Sequence, residues 1–335
     1  MRAGDVVGDY RLLRDFTTAG GGLSMWTLAE RGGATYFIKQ FLAPKWPVPG
    51  GPGTERTKVA RRLACERFEQ HHGRMMELLR SRSVPGGNLV VSIDFVRVDG
   101  IYYKITEAID VAAISVAAIA ALPIDDRLLI LKTVTHSVGI LHAAGIVHGD
   151  IKPDNVLIKR TAGGNYTTKL IDFDNSFVTG EPPRAEETVG DAVFLSPELA
   201  AHIAEAGPDT AVTTSSDIFA LGVLFALYLT GRVPVVTGAS GGVQVHERVA
   251  AGGVPITRWP GVPPDLGLLV GCMLRQASTA RPSAAEVLDA LKRRSGAELA
   301  ARADVARLRG SLIDAVSSPK AAGLRGSLVS GGSAR

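Results

Sequence analysis

Two short segments of the chain carry the side chains whose types and spacing could do chemistry. Residues 148–155 read HGDIKPDN, and Asp172 opens the triplet DFD 17 positions after Asn155. Transfer of a phosphoryl group needs a base to orient a hydroxyl, ligands for a metal and a cation on the phosphates. Asp150 can accept the hydroxyl proton, and Lys152 can neutralise charge on the moving phosphoryl group. Asn155 and Asp172 offer oxygen atoms of the kind that magnesium prefers, so the two segments predict a phosphoryl-transfer site.

The residues around these segments predict a small sheet with one large helix, followed by a mainly helical region from residue 111 onward. Apolar alternation, broken by Gly and Pro, predicts strands at 10–16, 25–30, 35–41, 88–98, 101–108, 146–159 and 168–173. Apolar residues at helical spacing predict helices at 55–80, 125–144, 215–230, 264–274 and 283–294. The dipeptide Asp99-Gly100 predicts a tight hairpin between two of the strands. The HGDIKPDN and DFD segments then lie on loops beside short strands.

Composition and charge exclude several classes of protein. The chain has 335 residues, of which 46% are hydrophobic and 21% charged, and this excludes wholesale disorder. A net charge of +4 is a mild excess that predicts no nucleic-acid partner. The most apolar runs, 111–122 and 218–230, are shorter than the roughly 18 residues needed to cross a bilayer, so no membrane insertion is expected.

The two cysteines and the first ten residues bear on where the protein works. Cys65 and Cys272 lie far apart in sequence, without the spacing of a zinc site. Residues 1–10 lack the apolar stretch of a signal peptide. A reduced, cytoplasmic chain is the simplest interpretation. The sequence leaves the oligomeric state open.

Four more short motifs lie at wide intervals along the chain. They are residues 36–39 (YFIK), 196–198 (SPE), 216–225 (SDIFALGVLF) and 281–283 (RPS). Together with the two segments above, they resemble the motifs of the eukaryotic-type protein kinases in type and in order, over about residues 10–294. The resemblance implies that Asp217 braces the catalytic loop and that Arg281 ion-pairs with Glu198.

The same resemblance implies a fold and an activity. The fold is α+β and bilobal, with a β-rich N-lobe over about residues 1–108 and a larger, mainly helical C-lobe over about 111–294. We expect residues 295–335 to form a helix-like extension and a disordered tail rich in Ser, Gly and Ala. The activity is transfer of the γ-phosphate of ATP, with Mg²⁺, to hydroxyl groups of a protein substrate. Lys152, two residues after Asp150, matches the serine/threonine type of catalytic loop.

The resemblance also assigns residues to the nucleotide and its metal. Lys39 would hold the α- and β-phosphates. Asn155 and Asp172 would hold the metal ion. The other residues assigned to the nucleotide are Gly20, Gly21 and Gly22 of the glycine-rich loop, and Glu107.

A glutamate of the long helix is expected to pair with Lys39. Glu69 is the best candidate, because it shares a helix face with His72. Glu66 and Glu77 remain alternatives, since the long loop before the helix prevents counting along the chain from the lysine.

Four departures from the family pattern bear on mechanism. Gly149 replaces the arginine that normally receives an activation-loop phosphate, so we expect phosphorylation of that loop to be dispensable. Asp174 replaces the last residue of the family's DFG triplet, and we favour a stiffer turn over an added metal ligand. The glycine-rich loop lacks two of the family's glycines. Trp26 and Phe37 replace smaller residues in the roof of the cleft, and we expect them to narrow the pocket rather than stack on the base.

Two other functions fit parts of this pattern. A pseudokinase, meaning a binding or scaffolding module with weak or no ATP turnover, would explain the altered glycine-rich loop and the aromatic roof. A small-molecule kinase would explain His148-Gly149-Asp150, since this triplet also occurs in aminoglycoside phosphotransferases. The presence of suitable side chains in all four chemical roles favours an active protein kinase. Residues 152–154 and the SPE motif argue against the small-molecule kinase.

Overall fold

The computed structural model describes residues 1–18, 24–48, 50–82, 87–110, 114–205, 211–238 and 243–294. Residues 1–290 form one compact unit. The tail predicted over 295–335 lies outside the described residues. Within the described ranges, no helix is long and apolar enough to cross a membrane.

A six-stranded antiparallel sheet occupies the first part of the chain. Its strands are β1 (Val6–Val7), β2 (Tyr10–Leu12), β3 (Ser24–Arg31), β4 (Ala34–Phe41), β5 (Asp94–Val98) and β6 (Ile101–Glu107). The order across the sheet is β1-β2-β3-β4-β6-β5. The β5–β6 turn is tight because Asp99 and Gly100 both adopt positive φ, at 50° and 77°.

The register of the central strands decides which side chains share a face of the sheet. Lys39 of β4 lies opposite Trp26 of β3 on one side and opposite Lys104 of β6 on the other. Directly paired residues project to the same face, so these three side chains form one row across the sheet. The opposite face carries the apolar cluster of Val7, Tyr10, Leu12, Ala29, Ile38, Tyr103 and Ile105.

Helix α1 (Glu55–Arg80) covers the face of the sheet that carries Lys39. It begins where the Thr54 side chain accepts a hydrogen bond from a backbone N–H of the first turn, at 3.2 Å. Its Phe68 ring packs against the rings of Phe95 and Tyr102 at centroid distances of 5.7 and 5.2 Å. These aromatic contacts fix the helix close to the row of lysines.

The rest of the described chain is mainly helical. The helices are α2 (Val116–Ala120), α3 (Ile124–Ala143), α4 (Pro197–Ile203), α5 (Ser215–Thr230), α6 (Val245–Ala250), α7 (Pro264–Met273) and α8, over residues 284–294. The strand pairs in this region are β7 (Ile146–Val147) with β10 (Phe177–Val178), β8 (Val156–Arg160) with β9 (Tyr166–Leu170), and β11 (Val236–Thr237) with β12 (Val254–Pro255). Nearly every residue of α5 is buried, because its apolar residues surround the helix on all sides.

The predicted order of a small sheet with one large helix, followed by a mainly helical region, is confirmed. Four predicted strands differ from those observed. The strand predicted over 10–16 is only Tyr10–Leu12, and the strand predicted over 168–173 is observed at Tyr166–Leu170. The strand predicted over 88–98 is shorter, because Asn88 and Val90 bond to Leu170 of β9 instead of extending the hairpin. The strand predicted over 146–159 divides into β7 and β8, since the loop that carries the HGDIKPDN segment separates them.

Candidate active site

A buried carboxylate holds the loop between β7 and β8. Asp217, near the start of α5, accepts hydrogen bonds from the backbone N–H groups of His148 (2.7 Å) and Gly149 (3.0 Å). Its Oδ2 also lies 3.0 Å from Nε2 of His142. Asp217 is 2% exposed, and three polar contacts satisfy its buried charge while fixing the backbone of the loop. The predicted bracing role of Asp217 is confirmed.

Asp150, Lys152 and Asn155 converge within this loop. Nζ of Lys152 lies 2.9 Å from Oδ2 of Asp150. The 3₁₀ turn Pro153–Asn155 folds Asn155 back, so that its Nδ2 donates to the Asp150 carboxylate (2.9 Å) and carbonyl (2.7 Å). Because Nδ2 makes both bonds, Oδ1 of Asn155 is the oxygen that remains for a cation. A carboxylate, an ammonium group and an amide oxygen thus lie together.

The Asp172 segment is fastened to this loop through the residue before it. The N–H of Ile171 donates to the carbonyl of Asn155 (3.0 Å), and the Ile171 carbonyl lies 3.1 Å from Nε2 of His148. The N–H of Asp150 donates to Nδ1 of His148 (3.2 Å), so Nδ1 is the acceptor of the ring and the Nε2–H group donates to the Ile171 carbonyl. Asp172 then has a φ of +63°, a strained conformation for a residue other than glycine and one found often at functional sites. The two predicted segments therefore form one site.

Four charged side chains form what we call the lysine–aspartate cluster: Lys39, Lys104, Asp172 and Asp174. Nζ of Lys39 lies 2.9 Å from Oδ2 of Asp172 and 2.7 Å from Oδ2 of Asp174. Nζ of Lys104 lies 2.9 Å from Oδ1 of Asp172 and also hydrogen-bonds Asp174. The two positive and two negative charges balance within the cluster. Asp174 is an ion-pair partner here, a role different from the stiffer turn that the sequence predicts.

The surroundings of the cluster keep Lys39 and Asp174 charged. Burial alone would lower the pKa of Lys39, but the carboxylates of Asp174 and Asp172 outweigh burial and raise that pKa above its usual value. Burial alone would raise the pKa of Asp174, but Lys104 and Lys39 outweigh it and hold that pKa well below its usual value. Lys39 is therefore a permanent cation facing the site.

The predicted pairing of Glu69 with Lys39 is wrong. Oε1 of Glu69 accepts a hydrogen bond from the Tyr102 hydroxyl (2.8 Å) and another from Nη1 of Arg97 (2.6 Å). The guanidinium on β5 gives this glutamate a cation of its own, while Lys39 already has two carboxylates.

Helix α1 reaches the lysine–aspartate cluster through a histidine. Nε2 of His72, one turn after the expected glutamate, lies 3.7 Å from Oδ1 of Asp174. The two alternative partners of the lysine, Glu66 and Glu77, are exposed on the helix. None of the three glutamates considered supplies the carboxylate that Lys39 binds.

The packing of the catalytic loop requires glycine at position 149. Gly149 has a φ of +77°, and a Cβ there would lie 2.5 Å from the carbonyl oxygen of Asn175 and 3.4 Å from Cε1 of Phe177. Separations under 3.0 Å essentially never occur for a real Cβ. The arginine common in the family therefore cannot occupy this position unless Asn175 moves.

Two glutamates of the segment after the DFD triplet contact helix α1. Glu181 pairs with Arg74 at 2.8 Å, and Glu187 lies 3.6 Å from Arg67. All four side chains are roughly half exposed, so each pair contributes at most about 1 kcal/mol. These pairs join the segment to α1 without a phosphate group.

Two aromatic rings stack on each other beside Lys39. The ring centroids of Trp26 and Phe37 lie 5.4 Å apart with an interplanar angle of 21°. The guanidinium of Arg14 lies 4.4 Å from the centroid of the Trp26 ring. The strand register places both rings on the face that carries Lys39, as predicted. Their effect on nucleotide binding stays a prediction.

The remaining residues assigned to the nucleotide lie at the edge of the site or outside the described part of the chain. Glu107 ends β6 and is partly exposed, with its Oε1 3.6 Å from Nζ of Lys169. Gly20, Gly21 and Gly22 lie outside the described residues. The assignment of these four residues stays a prediction.

A buried ion pair ties the SPE motif to the segment after α7. Nη1 and Nη2 of Arg281 donate to the two carboxylate oxygens of Glu198 at 2.6 and 2.8 Å. The same guanidinium donates to the carbonyl groups of Ser215, Arg275 and Gln276. The buried guanidinium charge of Arg281 is therefore paired with a carboxylate, and all its N–H groups donate hydrogen bonds. The predicted pairing of Arg281 with Glu198 is confirmed.

Comparison with known proteins identifies the family to which this arrangement belongs. The family model described as the protein kinase domain matches residues 58–291, which is more than half of the chain. This chain belongs to the protein kinase family. Members of the family use ATP and Mg²⁺, and the predicted kinase-like α+β fold with two lobes is confirmed.

Relatives of this kinase domain include serine/threonine kinases of bacteria. Serine/threonine-protein kinase PkaB of Streptomyces coelicolor is 28% identical over 284 residues, which cover 78% of this chain and 63% of that protein. PkaA of the same organism is 32% identical over 167 residues, which cover 49% of this chain and 28% of that protein. The chain thus spans less than two thirds of the length of these relatives. The granulovirus kinase PK-1 of Cydia pomonella shares the fold, with a TM-score of 0.59 and 18% identity over 84% of this chain and 92% of that one.

Sequence reasoning missed two residues of this kinase domain. Lys104 interrupts the otherwise apolar run of residues 101–105 (IYYKI), and a lone charge inside such a strand is a signal that a carboxylate lies nearby. The second is His72 of helix α1, whose side chain is 8% exposed and faces Asp174. No residue pattern in helix α1 indicates that His72 lies beside Asp174.

Proposed function

We propose that this chain is a serine/threonine protein kinase, which transfers the γ-phosphoryl group of ATP to hydroxyl groups of protein substrates. The observation that carries the proposal is the convergence of Asp150, Lys152 and Asn155 with Asp172 and Lys39 in one site. These residues can act as the base, the cation on the transferred group, the metal ligands and the cation on the remaining phosphates.

The residues present fit both the metal and the nucleotide phosphates. The amide oxygen of Asn155 and the carboxylate of Asp172 are hard oxygen ligands, which Mg²⁺ prefers. Mg²⁺ bound there would supply neutralisation of the phosphate charge. Asp150, oriented by Asn155, would accept the proton of the substrate hydroxyl. Lys39 would hold phosphate oxygens, and Lys152 would lie beside the transferred group.

Three further observations support the proposal of a protein substrate and a cytoplasmic location. The named bacterial relatives are serine/threonine-protein kinases, which favours a protein substrate over a small molecule. The net charge of +4 gives little attraction for nucleic acid. Cys65 and Cys272 are free thiols, which supports a cytoplasmic location.

Incubation of the purified full chain with γ-labelled ATP and a generic basic protein tests the proposal. We expect label on serine or threonine of the substrate or of the chain itself when Mg²⁺ is present, and none when a chelator removes it. Absence of label on any protein would contradict the proposal. Label on an aminoglycoside but not on protein would replace it by the small-molecule kinase.

A further inference from the structure

Two neighbouring lysines of the sheet repel each other, so the fold must place carboxylates close to both. Lys39 and Lys104 are direct cross-strand neighbours on β4 and β6, and their side chains are 18% and 7% exposed. Like charges opposite each other destabilise a sheet, and a buried ammonium group without a partner is costly. Lysine at position 104 therefore needs a carboxylate within reach.

Asp174 supplies a carboxylate to both lysines. One of its oxygens lies 2.7 Å from Nζ of Lys39, and the other accepts a hydrogen bond from Lys104. Nε2 of His72 lies 3.7 Å from that second oxygen. Asp172 contacts both lysines as well, but its side chain is more exposed, at 29% against 15%. Asp172 is also the residue assigned to the metal, so Asp174 is the carboxylate that remains for the lysines.

We propose that Asp174 is the positioning residue for Lys39, in place of a helix glutamate, and that Lys104 holds Asp174 in turn. This inference rests on the proposed function, since it concerns the lysine that binds phosphate there. The partner of Lys39 then comes from the same triplet as the metal ligand and not from helix α1. Glu69 is consequently left to bind Tyr102 and Arg97.

A relocated carboxylate tests the role of Asp174. Asp174→Gly removes the more buried of the two carboxylates that hold Lys39, and we expect kcat/KM for ATP to fall about 10²-fold, because misplacing a catalytic group costs that much. In this background His72→Glu brings a carboxylate from α1 to the same place, and His72→Gln is the matched control without charge. We expect the glutamate double variant to recover about 10-fold or more over the glutamine double variant, with kcat and KM for ATP measured separately.

Thermal unfolding of the nucleotide-free full chain tests the link between Lys104 and Asp174 without any activity. Lys104→Met and Asp174→Asn should each lower Tm by about 5 °C or more, since each removes one ion pair and leaves the buried charges of the lysine–aspartate cluster unbalanced. The double variant should lose much less than the sum of the two shifts. Lys159→Met, at an exposed position, is the control, and its shift should add to that of Asp174→Asn.

The two experiments separate this inference from the proposed function. Additive Tm shifts for Lys104→Met and Asp174→Asn would overturn the inference. Equal activities of the glutamate and glutamine variants at position 72 would also overturn it. A wild-type chain that transfers no phosphate would overturn the proposed function, and the Tm cycle would still decide the pairing of Lys104 with Asp174.

Discussion

Replacement of Gly149 by alanine should destabilise the protein more than the same change at Gly180. The two glycines have similar backbone conformations, with φ of +77° and +81°, so alanine is strained by a similar amount at both. At Gly180 nothing lies within 4 Å of the added Cβ, whereas at Gly149 that atom would lie 2.5 Å from the carbonyl oxygen of Asn175. The pair of variants therefore separates backbone strain from steric overlap.

The expected magnitudes follow from these two terms. The left-handed conformation costs alanine about 1–2 kcal/mol in either variant. At Gly149 the Cβ and the Asn175 oxygen must also move apart by about 0.5 Å to reach 3.0 Å, inside a packed loop. Such overpacking costs about 1–3 kcal/mol. We therefore expect the free energy of unfolding to fall by about 2–5 kcal/mol in Gly149→Ala and by about 1–2 kcal/mol in Gly180→Ala.

Equilibrium unfolding in urea measures both losses, provided that the slope of the transition is the same in the two variants. Phosphoryl transfer should also fall in Gly149→Ala, because the neighbouring Asp150 moves with the loop. Equal losses of stability in the two variants would refute the steric argument. They would also mean that packing alone does not exclude arginine at position 149.

Three other changes give sharp outcomes. Changing Thr179 and Thr188 together to alanine should leave phosphoryl transfer within a few-fold of wild type, since glutamates already join this segment to α1, and a collapse in kinetic assays would contradict this. Arg281→Met should lower the free energy of unfolding by about 3–5 kcal/mol, because it leaves Glu198 buried without its partner, and a change below about 1 kcal/mol in urea unfolding would refute it. Phe37→Ala should tighten ATP binding in calorimetry by widening the roof of the cleft, whereas weaker binding would show that the ring stacks on the base.

The local elements are predictable from the sequence because their signals are local. Helices α1 and α5 have the bounds that the spacing of their apolar residues predicts. Thr54 caps the start of α1, and Gly231, with a φ of +75°, ends α5 in the left-handed conformation. The catalytic loop is also predictable, since its side chains lie within eight consecutive residues.

The ion pairs around Lys39 are not predictable in this way, because they depend on contacts between distant parts of the chain. The register of β4 against β6 places Lys104 beside Lys39, and no residue near either one encodes that register. The helix face of Glu69 follows from spacing, but the position of Arg97 on β5 decides which cation it binds. A single residue of slip between the two strands would turn Lys104 to the other face of the sheet.

Phosphoryl transfer by Asp150→Asn and Asp172→Asn tests most directly the claim that the HGDIKPDN and DFD segments form one catalytic site. Each variant should lose about 10²-fold or more in rate while still unfolding in a cooperative transition, because each removes a base or a metal ligand. Asp154→Asn changes an exposed carboxylate of the same loop and should keep wild-type activity. Full activity in either Asp150→Asn or Asp172→Asn would contradict the account.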